Sequence, residues 1–268
     1  MSAITVPVNY YQQFDADFSL DVPEEGYGGW KRAEIELSPE HTAVVVMHAW
    51  DCGTKELYPG WFRACACIPR TYEVCRTILP GLLAAVRASE FSLFHVAGWG
   101  NYYESCPGYQ KTLALAGEDP DRPPGVEADP VYRRLQQFRS DNVSVGKHNQ
   151  ADVEKGSAKI RFPREAEPQG DEPIAKDAHQ LTALCRHHGV NHLIYAGFNI
   201  DWCLLASPGG MVDMVRRGAI CSAFRQAVTG VESKETARRQ LSKENSLWRV
   251  AVGFGFVFDV DDFVRAIS

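Results

Sequence analysis

The chain has 268 residues, 45% hydrophobic and 23% charged, with a formal net charge of −6. That is enough apolar material for a substantial core, and without a lysine- or arginine-rich stripe neither nucleic acid nor an anionic membrane is an expected partner. The first twenty residues lack a basic start followed by an apolar stretch, and no apolar run approaches the roughly 20 residues that cross a bilayer, so a soluble cytoplasmic protein is expected.

Residues 1–40 mix aromatic and polar types with Pro23, Gly26, Gly28, Gly29 and Pro39, and read as an extended arm lying on the domain or on a neighbouring subunit. Residues 41–268 read as one domain. Thr42–His48 is a short, continuous apolar run, the mark of a strand buried on both faces of a parallel sheet. Residues 71–88 carry helical spacing, with Pro80 expected to kink or divide the helix. Phe91–Ala97 is a second strand. Residues 100–129, with Tyr102, Tyr103, Pro120, Pro123 and Pro124, read as a long lid or interface loop. A helix follows at 130–138, a third strand at Asn142–Val145 and a charged insertion at 148–173. Residues 174–188 have helical period closed by Gly189. His192–Gly197 is the fourth strand, 201–217 a helix, Ala219–Phe224 the fifth strand, 232–242 a helix, 248–258 the sixth strand and Val260–Ile267 a closing helix.

Strands alternating with helices predict an α/β fold: a doubly wound, mainly parallel six-stranded sheet with helices on both faces, a Rossmann-like three-layer sandwich. Ligands of such sheets bind beyond the carboxyl ends of the strands, so the chemistry should follow His48, Ala97, Val145 and Gly197. The chain has eight cysteines. Cys75, Cys185 and Cys221 fall inside apolar patterns and read as small core residues. Cys52, Cys65 and Cys67 lie closer together but lack the paired C-x2-C spacing of zinc sites, and no metal is predicted.

The strongest local signal is Gly197-Phe-Asn-Ile-Asp-Trp-Cys203-Leu-Leu, which leaves a buried strand and opens a helix. Helix N-terminal N–H groups and the positive end of the dipole would stabilise a Cys203 thiolate and could hold an oxyanion. A core cysteine is the alternative reading of the same position.

The segment resembles the nucleophile motif G-V-x-T-D-x-C-V of the isochorismatase-like cysteine hydrolases, the superfamily of nicotinamidases, N-carbamoyl amidohydrolases and isochorismatases. Gly197, Asp201 and Cys203 match it, with Phe198 for Val and Ile200 for Thr. The resemblance implies a parallel sheet with helices on both sides and an Asp–Lys–Cys triad acting through a covalent intermediate. It also implies a cis peptide at Phe198–Asn199, aiming a backbone N–H into an oxyanion hole. Lys147 matches the family's lysine after the third strand; Lys159 is a poorer alternative.

The family's first strand ends V-I-D-M-Q-N-D, whereas this chain reads Val45-Val-Met-His48-Ala-Trp50-Asp51. One register puts His48 on the catalytic aspartate; shifted by one, Met47 falls there and Asp51 matches the second Asp. Three readings stay open: His48 as general base, Asp51 reaching in from the loop, or a catalytically silent homologue. Asp51-Cys52-Gly53 lacks the Asp-x-His pair of the zinc-binding members, which again predicts no metal. His95 is expected in a hydrogen-bonded structural role. Trp50, Trp99, Tyr102, Tyr103 and Trp202 cluster near the strand ends and are predicted to form an aromatic pocket. The expected function is cysteine-dependent hydrolysis of an amide or ureido C–N bond in a small molecule, without cofactor, by a homo-oligomer (dimer or tetramer); a silent binding or scaffold protein is the competing reading.

Overall fold

Residues 4–37, expected within an extended arm, form a hairpin of the sheet. In the computed structural model, which describes residues 3–119 and 125–268, strands β1 (Ile4–Gln12) and β2 (Gly29–Leu37) pair antiparallel from Ile4↔Leu37 to Gln12↔Gly29. Alternate residues Val6 and Val8 of β1 point into the core, as the period of two of a strand requires. Strand β1 then meets the last strand at Asn9↔Val257, so the hairpin extends the sheet.

Strand β3 (Thr42–Met47) is wholly buried, and α1 (Pro59–Ala64), α2 (Ile68–Thr77) and α3 (Leu79–Arg87) follow it. The expected division near Pro80 falls at Ile78, between α2 and α3. After β4 (Ser92–Val96) the predicted loop 100–129 contains α4 (Pro107–Ala116); its prolines 120, 123 and 124 lie outside the described residues. Pro107 sits at the first turn of α4, where a missing N–H costs nothing. Helices α5 (Pro130–Asn142) and α6 (Gln150–Ser157) precede β5 (Ile174–Ala175), α7 (Ala178–His188) and β6 (His192–Gly197). The remainder is α8 (Cys203–Ala206), α9 (Met211–Arg216), β7 (Ile220–Val228), α10 (Leu241–Gly253), β8 (Val257–Phe258) and α11 (Val260–Ile267).

The sheet has eight strands in the order β2-β1-β8-β7-β6-β3-β4-β5, which corrects the predicted six. From β8 to β5 every pairing is parallel, so six parallel strands carry an antiparallel hairpin at one edge. Two of the six were misplaced by the sequence. Asn142–Val145 is not a strand: it is the end of α5 and a turn. The third strand is Ile174–Ala175, pairing His95↔Ile174 and Val96↔Ala175, where the sequence predicts helix. Residues 248–253 belong to α10, because Leu247 and Val250, one helical turn apart, both pack into the core; only Val257–Phe258 remains strand. Residues 232–240 hold only a short 3-10 turn at Ala237–Arg239, and α10 begins at Leu241.

Period two in the strands creates the layers. Ala43, Val45 and Met47 of β3 face a core shared with α7, α9 and α10, whereas Val44 and Val46 face one shared with α3 and α11. The result is a three-layer α/β sandwich. Among the described residues no helix is long and apolar enough to cross a membrane.

Candidate active site

Strand β3 ends at Met47, and the next residue, His48, takes a positive φ of 54°, uncommon for a residue with a Cβ. Its N–H bonds the Val96 carbonyl at 2.9 Å, fixing the turn to β4. The ring stacks on Trp50 at 4.7 Å, and a Cβ at Gly98 would come within 2.7 Å of its Nε2. The ring is buried and its Nδ1 has no hydrogen-bond partner. Desolvation lowers the His48 pKa to about 4, so the imidazole is neutral at pH 7.

Strand β6 delivers the cysteine. Gly197 has φ 123°, and a Cβ there would lie 1.9 Å from the Met47 carbonyl oxygen, so this close crossing of β3 and β6 requires glycine. The Phe198–Asn199 peptide is cis, as the resemblance implied. The next turn is tightly bonded: the Asn199 carbonyl accepts from Trp202 and Leu204, and the Thr229 hydroxyl donates to the Asn199 side-chain oxygen at 2.6 Å. Asp201 of the motif accepts the Val231 N–H through both carboxylate oxygens, at 2.9 and 3.1 Å. It therefore pins the loop after β7.

Cys203 is half-buried and opens α8, with Leu204 and Leu205 anchoring that turn in the core. The predicted continuous helix 201–217 does not exist. It breaks at Ser207-Pro208-Gly209-Gly210, where the Tyr195 hydroxyl donates to the Gly209 carbonyl at 2.9 Å and Gly210 becomes the N-cap of α9. A single turn carries little dipole, so that source of thiolate stabilisation is weak here. Its first N–H groups remain without intrahelical acceptors.

A cleft of about 950 Å³ brings His48, Trp50, Trp99 and Cys203 together at the carboxyl ends of β3, β4 and β6. Lys176, the residue after β5, lines the same cleft, as do Tyr103 and Asp177. One oxygen of Asp177 caps α7 by accepting the Gln180 N–H at 2.9 Å. Lys147 does not line the cleft: it is exposed on a 3-10 turn, because the strand expected before it is absent. Lys159 is exposed too and does not line the cleft. The sequence reading therefore missed Lys176. The signal was Ile174-Ala-Lys176 ahead of Asp177, an apolar pair and a helix N-cap, hidden by extending the helical pattern of α7 backward.

Asp51 is engaged elsewhere. Its oxygens accept from the Tyr72 hydroxyl at 2.7 Å, the Gly53 N–H at 3.0 Å and Arg161 at 2.8 Å. Burial pushes its pKa up, but these bonds and the guanidinium charge outweigh it and hold the carboxyl below its ordinary value. It does not line the cleft. Trp202 is 64% exposed and also lies outside the cleft lining, so the predicted aromatic wall reduces to Trp50, Trp99 and Tyr103, with the Tyr102 hydroxyl accepting from Trp50 Nε1 at 2.9 Å. His95 is buried and bonds Glu172 at 2.9 Å, while Arg87 holds the same carboxylate at 2.6 and 2.9 Å, the structural role expected of it.

Beside Trp50 and Trp99 lies a small pocket of about 70 Å³ whose lining includes Cys52, Cys65 and Cys67. Burial pushes the Cys52 thiol up to about 12 and Cys67 up to about 11, so both stay protonated and act as apolar lining. Among the described residues no group of three or more His, Cys, Asp and Glu is placed to hold a metal ion.

No family model matches the chain. It is 21% identical to the ureidoacrylate amidohydrolase RutB of Serratia proteamaculans (strain 568), over 98% of this chain and 94% of that protein. The resemblance read from the Gly197–Leu204 motif thus extends along nearly the whole chain. Among solved structures, a cysteine hydrolase from Pseudomonas syringae pv. phaseolicola 1448A covers 86% of this chain and 94% of its own at 14% identity and TM-score 0.47. An isochorismatase family protein from Burkholderia thailandensis covers 86% and 97% at 13% identity and TM-score 0.48. N-carbamoylsarcosine amidase from Thermoplasma acidophilum covers 82% and 96% at 14% identity and TM-score 0.40.

Proposed function

We propose that this chain, which resembles the isochorismatase-like cysteine hydrolases, hydrolyses an amide or ureido C–N bond in a small molecule, with Cys203 as nucleophile. The observation that carries the proposal is the shared cleft: Cys203 and His48 reach it from the ends of the neighbouring parallel strands β6 and β3, and Lys176 from the end of β5, one strand beyond β4. Neutral His48 accepts the thiol proton. The thiolate attacks the carbonyl carbon, and the Lys176 ammonium offsets negative charge in the cleft. The C–N bond breaks, the nitrogen leaves with the proton carried by His48, and water hydrolyses the thioester. The ureido reading is supported by the name of the 21%-identical relative, a ureidoacrylate amidohydrolase. The working form is a homo-oligomer.

The test is mass spectrometry of the intact protein after brief mixing with a panel of primary amides and N-carbamoyl compounds. An acyl or carbamoyl adduct on Cys203, with turnover lost in Cys203→Ala, is the expected result. No adduct, no Cys203-dependent turnover and an iodoacetamide reactivity equal to that of a free cysteine would refute the proposal and leave a binding protein on this scaffold.

A further inference from the structure

Helix α5 (Pro130–Asn142) has no buried residue along its 13 positions. Its ends are nonetheless well made. Asp129 caps the start, accepting the N–H groups of Val131 and Tyr132 at 2.6 and 2.8 Å, and Gln150 bonds Ser140 and Asp141 near the other end. A helix of this length is marginal in water unless an apolar face is covered. Val131, Leu135 and Phe138 are all exposed and recur at i, i+4 and i+7, one continuous stripe. Arg134 flanks the stripe on one side, Arg139 and exposed Tyr132 on the other. The helix thus presents an apolar strip between guanidinium groups.

The segment between β1 and β2 carries the complementary pattern. Phe14, Phe18, Leu20 and Val22 are exposed, Phe18 at 86%. Interleaved with them are Asp15, Asp17, Asp21, Glu24 and Glu25, also exposed, and residues 14–25 contain no lysine or arginine. The segment is held in shape by the bond from the Asp17 N–H to the Pro23 carbonyl at 3.0 Å and by the Ser19 N–H donating to the Asp17 carboxylate at 2.9 Å. Its aromatic side chains are therefore displayed at reduced entropic cost of docking.

We infer that residues 14–25 of one copy of this chain dock on α5 of a second copy, and reciprocally. Phe18 and its apolar neighbours cover the Val131–Leu135–Phe138 stripe while the carboxylates meet Arg134 and Arg139. The same two patches used twice make a closed two-fold assembly. The inference builds on the homo-oligomer proposed above and names its interface; it is independent of the hydrolytic chemistry.

Sedimentation velocity of the full chain across a range of concentration and salt tests it. The wild type should associate, more weakly at high salt because exposed charges are screened. Leu135→Asp with Phe138→Asp, and separately Arg134→Glu with Arg139→Glu, should each weaken association about tenfold or more, since like charges then face each other or charge meets apolar surface. Asp21→Arg with Glu24→Arg should do the same. Mixing the two charge-reversed proteins, one altered in α5 and one in the acidic segment, should restore a dimer, because each contact then pairs opposite charges. A wild type that stays monomeric overturns both the interface and the oligomer. An oligomer indifferent to these variants, or variants that fail to rescue one another while remaining folded by circular dichroism, overturns the interface alone.

Discussion

Replacing His48 by Asn tests the claim that a neutral imidazole is locked beside the cleft. The ring is buried, has no partner at Nδ1, and its pKa falls to about 4 from an ordinary value of 6.5 because burial penalises the charged form. Between those two values the unfolded chain binds a proton that the folded one refuses, so stability falls as the pH drops from 6.5 and levels off below about 4. At pH 4.5 the linkage amounts to roughly 2.5 kcal/mol, and at pH 7.5 to roughly zero. Urea unfolding at both pH values, on wild type and His48→Asn, isolates this contribution. Wild type should lose about 2.5 kcal/mol more than the variant on acidification. His192, whose burial also lowers its pKa to about 4, contributes to both proteins and cancels. An identical pH dependence in the two proteins would mean that the ring is not held neutral, and the base assigned to the cleft would have to be another group.

Two further outcomes separate the site from its surroundings. Lys176→Met should lower Cys203-dependent turnover by about tenfold, because a lysine lining the cleft offsets negative charge developing there, whereas Lys147→Met should change it less than about twofold; the reverse order would restore the lysine predicted from sequence. Gly197→Ala should destabilise the protein by at least about 3 kcal/mol, since the methyl group meets the Met47 carbonyl and the positive φ is strained for alanine. A loss below about 1 kcal/mol in thermal or urea unfolding would show that β3 and β6 can separate freely there.

The sequence revealed what local patterning controls and obscured what distant packing controls. Thr42–Met47 and His192–Gly197 are apolar from end to end because both their faces are covered, and such runs were legible without a partner in view. Strand β5 has two residues and is a strand only because β4 lies beside it, so its own sequence carries almost no signal. The short stretch at 142–145 has no strand beside it: residues 142–144 stay exposed, and Val145 packs beside Trp61 and Ile68 instead. Residues 248–258 look like a strand by propensity, yet the helical placing of Leu247 and Val250 over β7 and β8 decides the matter. The hairpin at 4–37 alternates weakly, with proline in β1, which hid it inside an apparent arm.

The same distinction explains the site. Cys203 and Gly197 were identifiable because motif, strand end and turn are contiguous. Lys147, expected at the cleft, lies outside its lining because that expectation depended on which strand is third, a property of the sheet. The substitution at the end of β3 matters most for mechanism. A carboxylate there would bring a negative charge to the end of β3, whereas with neutral His48 the negative charge of the cleft lies with Glu118, Asp119 and Asp177. A buried imidazole is a reluctant proton acceptor on its own. Its position changes as the thiolate forms, because an adjacent anion favours the imidazolium by direct attraction. Proton transfer from Cys203 to His48 would therefore create an ion pair in the aromatic-walled cleft, where the Lys176 ammonium offsets the negative charge. Activity should depend on Lys176, because among the described residues no other lysine or arginine lines the cleft.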